Sequence, residues 1–235
     1  MKYIFFDING LAADIPNFDL DILQPLQEDP DTMILFLTTK PKIQAMQELK
    51  DNGVFVNETF VIGIEDMEHM FLSARIAAEE SSNTQPLRGS IELLGFDPEA
   101  QTDEMLQQRS RQWIQAVETH NFRFKCPSIL TNPTTDSILL VESDSAHDDR
   151  GTLRRDQGMQ QYPTIAQELG YSLILTPEAP TAWHKDAQGF TQELKTILAS
   201  WQGQPLNRDL GKQHRLYREG HPPPLGMPRK IGKER

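Results

Sequence analysis

The chain is poor in several things, and each shortage removes a class of explanation. It has one cysteine, Cys126, so an internal disulfide framework and a cysteine-ligated zinc site are both excluded. No apolar run approaches the roughly 18 residues that span a bilayer. The apolar stretch at 3–6 is too short for a signal peptide, and Asp7 interrupts it. Together these point to a reducing, cytoplasmic setting, or delivery into another cytosol without a classical signal peptide. Positive charge is also scarce: the net charge is -11, which argues against nucleic acid as the main partner. No phosphate-binding P-loop, no Gly-x-Gly-x-x-Gly and no nucleophile elbow around Ser143 are present. Cys126 has no His/Asn arrangement around it that would make it a nucleophile. There is no internal repeat.

The charge is unevenly spread. From Asn207 onward there are eight Lys/Arg and three Asp/Glu, so the last stretch is basic and the remaining body carries -16. With Pro222-Pro223-Pro224 and no periodicity, residues 203–235 read as a solvated tail that could touch an anionic surface. Residues 1–202 read as the folded domain.

Within that body, residues 2–7, 33–37 and 137–142 are continuous apolar runs, as expected of strands buried on both faces. Residues 54–62 and 171–175 are also strand-like. Leu20, Ile22, Leu23 and Leu26 suggest a short helix inside an acidic, proline-broken stretch. Pro41 suits the first turn of a helix over 41–52, with Gly53 as its stop. Residues 65–120 predict helices: Met67, Met70, Phe71, Ala74 and Ala77 share one face, and Met105, Leu106, Trp113, Ile114 and Val117 mark a long polar helix. Residues 163–169, stopped by Gly170, and 190–201 complete the set. Strands alternating with helices predict an α/β fold with a central parallel sheet. The block at 65–120 is either a helical insertion that caps a site or a layer of packing helices.

The chemistry is concentrated at strand ends. Lys2-Tyr3-Ile4-Phe5-Phe6-Asp7-Ile8-Asn9-Gly10 is an apolar strand that ends on a carboxylate, followed by an amide and a glycine. Residues i and i+2 share a strand face, so Asp7 and Asn9 leave it pointing the same way. The carboxyl end of a buried strand is where open α/β sheets bind ligands. The second buried strand ends at Thr38-Thr39, with Lys40 and Pro41 opening a helix. Lys125 stands 19 residues before Asp144, and Ile138–Val141 runs into Glu142-Ser143-Asp144-Ser145-Ala146-His147-Asp148-Asp149. Glu142 and Asp144 share a strand face, while Asp144 and Asp148 have an Asp-x-x-x-Asp spacing.

These four pieces, in this order, resemble motifs I to IV of the haloacid dehalogenase-like hydrolases over about residues 2–176. The usual motif I is Asp-x-Asp-Gly; here its second Asp is Asn9. The resemblance implies a three-layer, Rossmann-like domain and phosphoryl transfer through an aspartyl-phosphate. Asp7 is then the nucleophile and Asn9 stands in the acid/base position. Thr38 and Lys125 meet the phosphoryl group, with Thr39 and Gly10 beside the substrate. Mg²⁺ is the implied cofactor, held by Asp7, the backbone carbonyl of Asn9, and Asp144 or Asp148. Lys40, Lys42 and Arg123 are weaker candidates for the lysine role. An amide cannot transfer protons, so proton-dependent steps should slow by roughly 10²–10⁴-fold. Asn9 therefore leaves three readings: a slow or substrate-restricted phosphatase, a binding domain that has lost catalysis, or an Asp deliberately changed.

Only about 25 residues separate motifs I and II, too few for a folded cap. In the family such openness goes with macromolecular substrates, so the expected partner is a phosphorylated substrate such as a phosphotyrosine protein. The rival reading is an interaction protein that keeps the fold and has lost the chemistry. A phosphotransferase or a metal-independent dehalogenase is a third class. His147 and His184 read as surface and packing residues.

Overall fold

The computed structural model describes residues 1–8, 28–79, 83–120, 127–132, 134–143, 162–176 and 187–210. Six parallel strands form one sheet in the order β3-β2-β1-β4-β5-β6. They are β1 (Lys2–Asp7), β2 (Thr32–Leu37), β3 (Val61–Ile62), β4 (Ser137–Ser143), β5 (Ser172–Thr176) and β6 (Asn207–Asp209). The helices are α1 (Lys42–Asp51), α2 (Ile64–Ala78), α3 (Gln85–Leu93), α4 (Asp103–His120), α5 (Pro127–Leu130), α6 (Tyr162–Leu169) and α7 (Ala187–Ser200).

Alternation along the strands divides the core in two. Tyr3, Phe5, Leu35, Leu37, Ile138, Leu140, Leu173 and Leu175 face one side, against Met67, Met70, Ala74, Leu87, Ile91, Leu106, Trp113 and Ala166 of helices α2, α3, α4 and α6. Ile4, Phe6, Ile34, Phe36, Leu139, Val141 and Ile174 face the other, against Ala45 and Leu49 of α1 and Leu194 and Leu198 of α7. The molecule is a three-layer α/β domain, as the alternation of apolar runs predicts. Central β1 is buried on both faces, which explains why Ile4, Phe5 and Phe6 are consecutive apolar residues. Helices α2, α3 and α4 fall in the expected 65–120 block, and their buried side chains join the first of these cores.

Gly53 and Gly170 end α1 and α6 at φ of 78° and 77°, the left-handed conformation a glycine stop requires. Two boundaries differ from expectation. The strand-like stretch 54–62 turns through a 3-10 segment, Glu58–Phe60, and pairs with β2 only at Val61–Ile62. Asn57 causes the turn, because its side-chain oxygen accepts from the backbone N–H of Thr59 at 3.0 Å. The folded domain also continues past residue 202. Asn207–Asp209 pairs with β5, and Leu210 is buried. A polar three-residue edge strand has no apolar run to announce it.

The β5–α7–β6 crossover has its own hand. β4–α6–β5 steps in the same direction across the sheet, but α6 and α7 lie on opposite faces. The β2–α1–β3 crossover steps the other way on α7's face, and so shares the hand of β4–α6–β5. The usual right-handed rule therefore cannot hold for β5–α7–β6 as well.

Candidate active site at the carboxyl edge of the sheet

The chain leaves β1 toward β2 on one side, while β4 lies on β1's other side. The gap between β1 and β4 is thus the topological switch point, the place at which open α/β sheets bind ligands. Asp7 is the last residue of β1 and is half-buried. It pairs with Leu37 of β2. On the other side Phe6 pairs with Val141, so Glu142 is the next residue along β4 beside Asp7. By alternation Asp7 shares a face with Tyr3 and Phe5, and Glu142 with Ile138 and Leu140. Two carboxylates thus leave adjacent strands on the same face at the switch point.

Glu142 is 2% exposed, and its backbone carbonyl accepts from the Thr176 hydroxyl at 3.1 Å. In the sequence Glu142 shares a strand face with Asp144 and stands outside the Asp-x-x-x-Asp spacing. Its signal was its position in strand register with Asp7, which becomes visible only when β1 and β4 are known to be neighbours.

Thr38 follows β2 directly, one residue beyond Asp7's register partner, and is fully buried. Its backbone N–H donates to the carbonyl of Ile62 at 3.1 Å. Its hydroxyl oxygen accepts from the backbone N–H of Lys40 at 3.0 Å, which shapes the turn into α1. Thr39 is exposed at that turn. Asp7 and Thr38 therefore stand at the ends of neighbouring strands, as expected. Asn9, Gly10, Lys125, Asp144 and Asp148 lie outside the described residues, as do Cys126, Arg123, His147 and His184.

The start of α1, expected to present backbone N–H groups to an anion, is met by a carboxylate of the chain itself. Lys42 N donates to Glu65 Oε1 and Oε2 at 2.9 and 3.2 Å. Gly63 makes this approach possible: a Cβ there would stand 2.8 Å from Lys42 N. The next carboxylate, Asp66, accepts from Gly63 N at 3.0 Å and pairs with Lys42 Nζ at 2.9 Å. Lys40 Nζ is held by both oxygens of Glu48 at 2.7 and 2.8 Å. Both lysines weighed as alternatives to Lys125 are thus committed to carboxylates of their own neighbourhood.

Two adjacent carboxylates are hard oxygen donors of the kind Mg²⁺ takes, with water and substrate oxygens completing the shell. Asp7 and Glu142 fit that requirement as a partial ligand set. Among the described residues no group of three or more His, Cys, Asp or Glu side chains is close enough to hold a metal. No helix among them is long and apolar enough to cross a membrane.

No protein-family model and no curated protein matches the chain. Among solved structures it is distantly similar to a hypothetical protein from Pyrococcus horikoshii OT3, at 11% identity, covering 93% of this chain and 100% of that one with a TM-score of 0.39. It is also similar to the 4-nitrophenylphosphatase of Thermotoga maritima, at 13% identity, covering 91% and 96% with a TM-score of 0.35. Likeness at this level carries no functional argument, so the chemistry rests on the residues themselves.

Proposed function

We propose that the chain is a Mg²⁺-dependent phosphomonoester hydrolase of the haloacid dehalogenase-like type. The observation that carries this reading is the pair Asp7 and Glu142, side by side at the switch point of a parallel sheet. The order of the four sequence motifs supports it independently. In this reading an Asp7 oxygen attacks phosphorus, the Asp7–phosphate bond forms, and the bond to the leaving oxygen breaks. Water then attacks the aspartyl-phosphate and restores Asp7. Mg²⁺, when bound, offsets the negative charge on the phosphoryl oxygens. Glu142 joins Asp7, Asn9 and Asp144 or Asp148 as a candidate ligand. Thr38 and Lys125 are assigned to the phosphoryl oxygens, and Thr39 and Gly10 to the substrate's surroundings.

Asn9 occupies the acid/base position, so leaving groups that need a proton should react slowly. The short link between motifs I and II favours a phosphoprotein, and an aryl phosphate such as phosphotyrosine needs the least protonation. The second reading, a domain that binds phosphorylated partners without turnover, is favoured by Asn9 alone. Calorimetric titration with Mg²⁺, followed by a phosphotyrosine peptide, tests both. Saturable Mg²⁺ binding that Asp7→Asn and Glu142→Gln each weaken, with release of inorganic phosphate from the peptide, supports the hydrolase. Peptide binding with no phosphate release supports the second reading, and no Mg²⁺ binding contradicts the first.

A further inference from the structure

The large apolar side chains left exposed are not scattered. Seven such residues stand out among the described ones, and four of them, Met1, Ile43, Phe55 and Phe60, line two adjoining grooves. One groove, of about 340 Å³, runs along α1 between Ile43, Met46 and Phe55, with Lys50 and Glu58 on its rim. The other, of about 470 Å³, lies beside β2 between Met1, Met33, Phe36, Phe55 and Phe60. Phe55, 73% exposed, is the ridge between them. A clustered apolar surface of this kind marks an interaction site.

We propose that this face pairs with a second copy of the chain about a two-fold axis, each Phe55 seating in a groove of the other copy. The surface is complementary to itself, as a two-fold interface requires, because it presents both a knob and the cavities to receive one. Its charges also complement each other. Lys50 and Glu58 border the same groove, and neither has an ion-pair partner among the described residues. In the proposed pairing Lys50 of one copy faces Glu58 of the other. The rim lysine is notable on a body of net charge -16, where an arbitrary face would meet its copy with like charges. Met1 and Thr32 lie at the amino ends of β1 and β2, so the second groove reaches the end of the sheet opposite Asp7, while the first runs along α1 from Ile43 toward Phe55.

The test is sedimentation velocity of the full chain over a concentration series. The expected result is a monomer–dimer equilibrium that Phe55→Asp weakens by more than about tenfold. Ile43→Asp, at a side chain 84% exposed, should do the same with circular dichroism unchanged. Lys50→Glu should weaken the dimer and Lys50→Glu/Glu58→Lys should restore it. A chain that stays monomeric throughout, or a dimer indifferent to Phe55→Asp and Ile43→Asp, overturns the proposal. So does a charge swap that fails to rescue a weakened Lys50→Glu dimer.

Discussion

Replacing Gly63 with alanine tests how tightly the loop after β3 is fitted against α1. Its φ of -89° suits any residue, so the expected penalty comes from contact and not from backbone strain. A Cβ would stand 2.7 Å from Glu65 Oε2, 2.8 Å from Lys42 N and 3.0 Å from Lys42 Cβ. The carboxylate can swing aside, giving up its hydrogen bonds to Lys42 N, a loss of about 0.5 kcal/mol at an exposed side chain. The backbone of Lys42 moves only if the first turn of α1 moves, and overpacking of this kind costs about 1–3 kcal/mol. The sum is about 1.5–3.5 kcal/mol, or a fall in Tm of about 5–10 °C for a chain of this size. Gly89→Ala is the control: nothing lies within 4 Å of its added Cβ and it sits within α3, so it should stabilise by about 0.5–1 kcal/mol. Urea unfolding followed by circular dichroism measures all three proteins. The Gly63→Ala/Glu65→Ala double variant should stay destabilised, because Lys42's backbone is still in the way. Gly63→Ala within 0.5 kcal/mol of wild type, or full rescue by Glu65→Ala, refutes the argument.

Asp29 predicts an acid-limb effect. Lys2, the backbone of Asp31 and Thr32 hold its carboxyl at about 2, below the ordinary carboxylate range. A carboxyl held low in the folded state adds stability above about pH 4, and this is lost as pH falls toward 2. Asp29→Asn should therefore lower stability at pH 6 and converge with wild type near pH 2; parallel curves would contradict this. The position of β6 predicts that a chain ending at Gln202 is less stable than one ending at Leu210 by about 2–4 kcal/mol. The difference comes from Leu210, 1% exposed, and the pairing of β5 with β6. Equal urea midpoints would show that the added strand contributes nothing.

What could be read in the sequence follows from burial. Ile4-Phe5-Phe6, Ile34-Leu35-Phe36 and Leu139-Leu140-Val141 are covered on both faces, so an unbroken apolar run is their necessary signature. Asp7 could be read for the same reason: a carboxylate ending such a run is conspicuous. Glu142 was harder, because its meaning depends on β4 lying next to β1 across some 130 residues of sequence. Val54–Ile62 reads as one strand because Val54, Val56, Val61 and Ile62 are apolar strand formers, yet Asn57 bends the chain among them. Asn207–Asp209 has no apolar residue at all, and only the edge of β5 makes it a strand. The anion expected at α1 was legible as a site but not as Glu65, which reaches Lys42 from 23 residues away.

The central claim is that Asp7 is the nucleophile of a phosphatase site whose proton transfer is impaired at Asn9. The most direct measurement is Mg²⁺-dependent hydrolysis of 4-nitrophenyl phosphate by wild type, Asn9→Asp and Asp7→Ala. The account predicts slow steady-state release of nitrophenol by wild type, limited by hydrolysis of the aspartyl-phosphate because the aryl leaving group needs little protonation, a rate raised by roughly 10²–10⁴-fold in Asn9→Asp, and none in Asp7→Ala. Hydrolysis that survives Asp7→Ala, or three inert proteins, would contradict it.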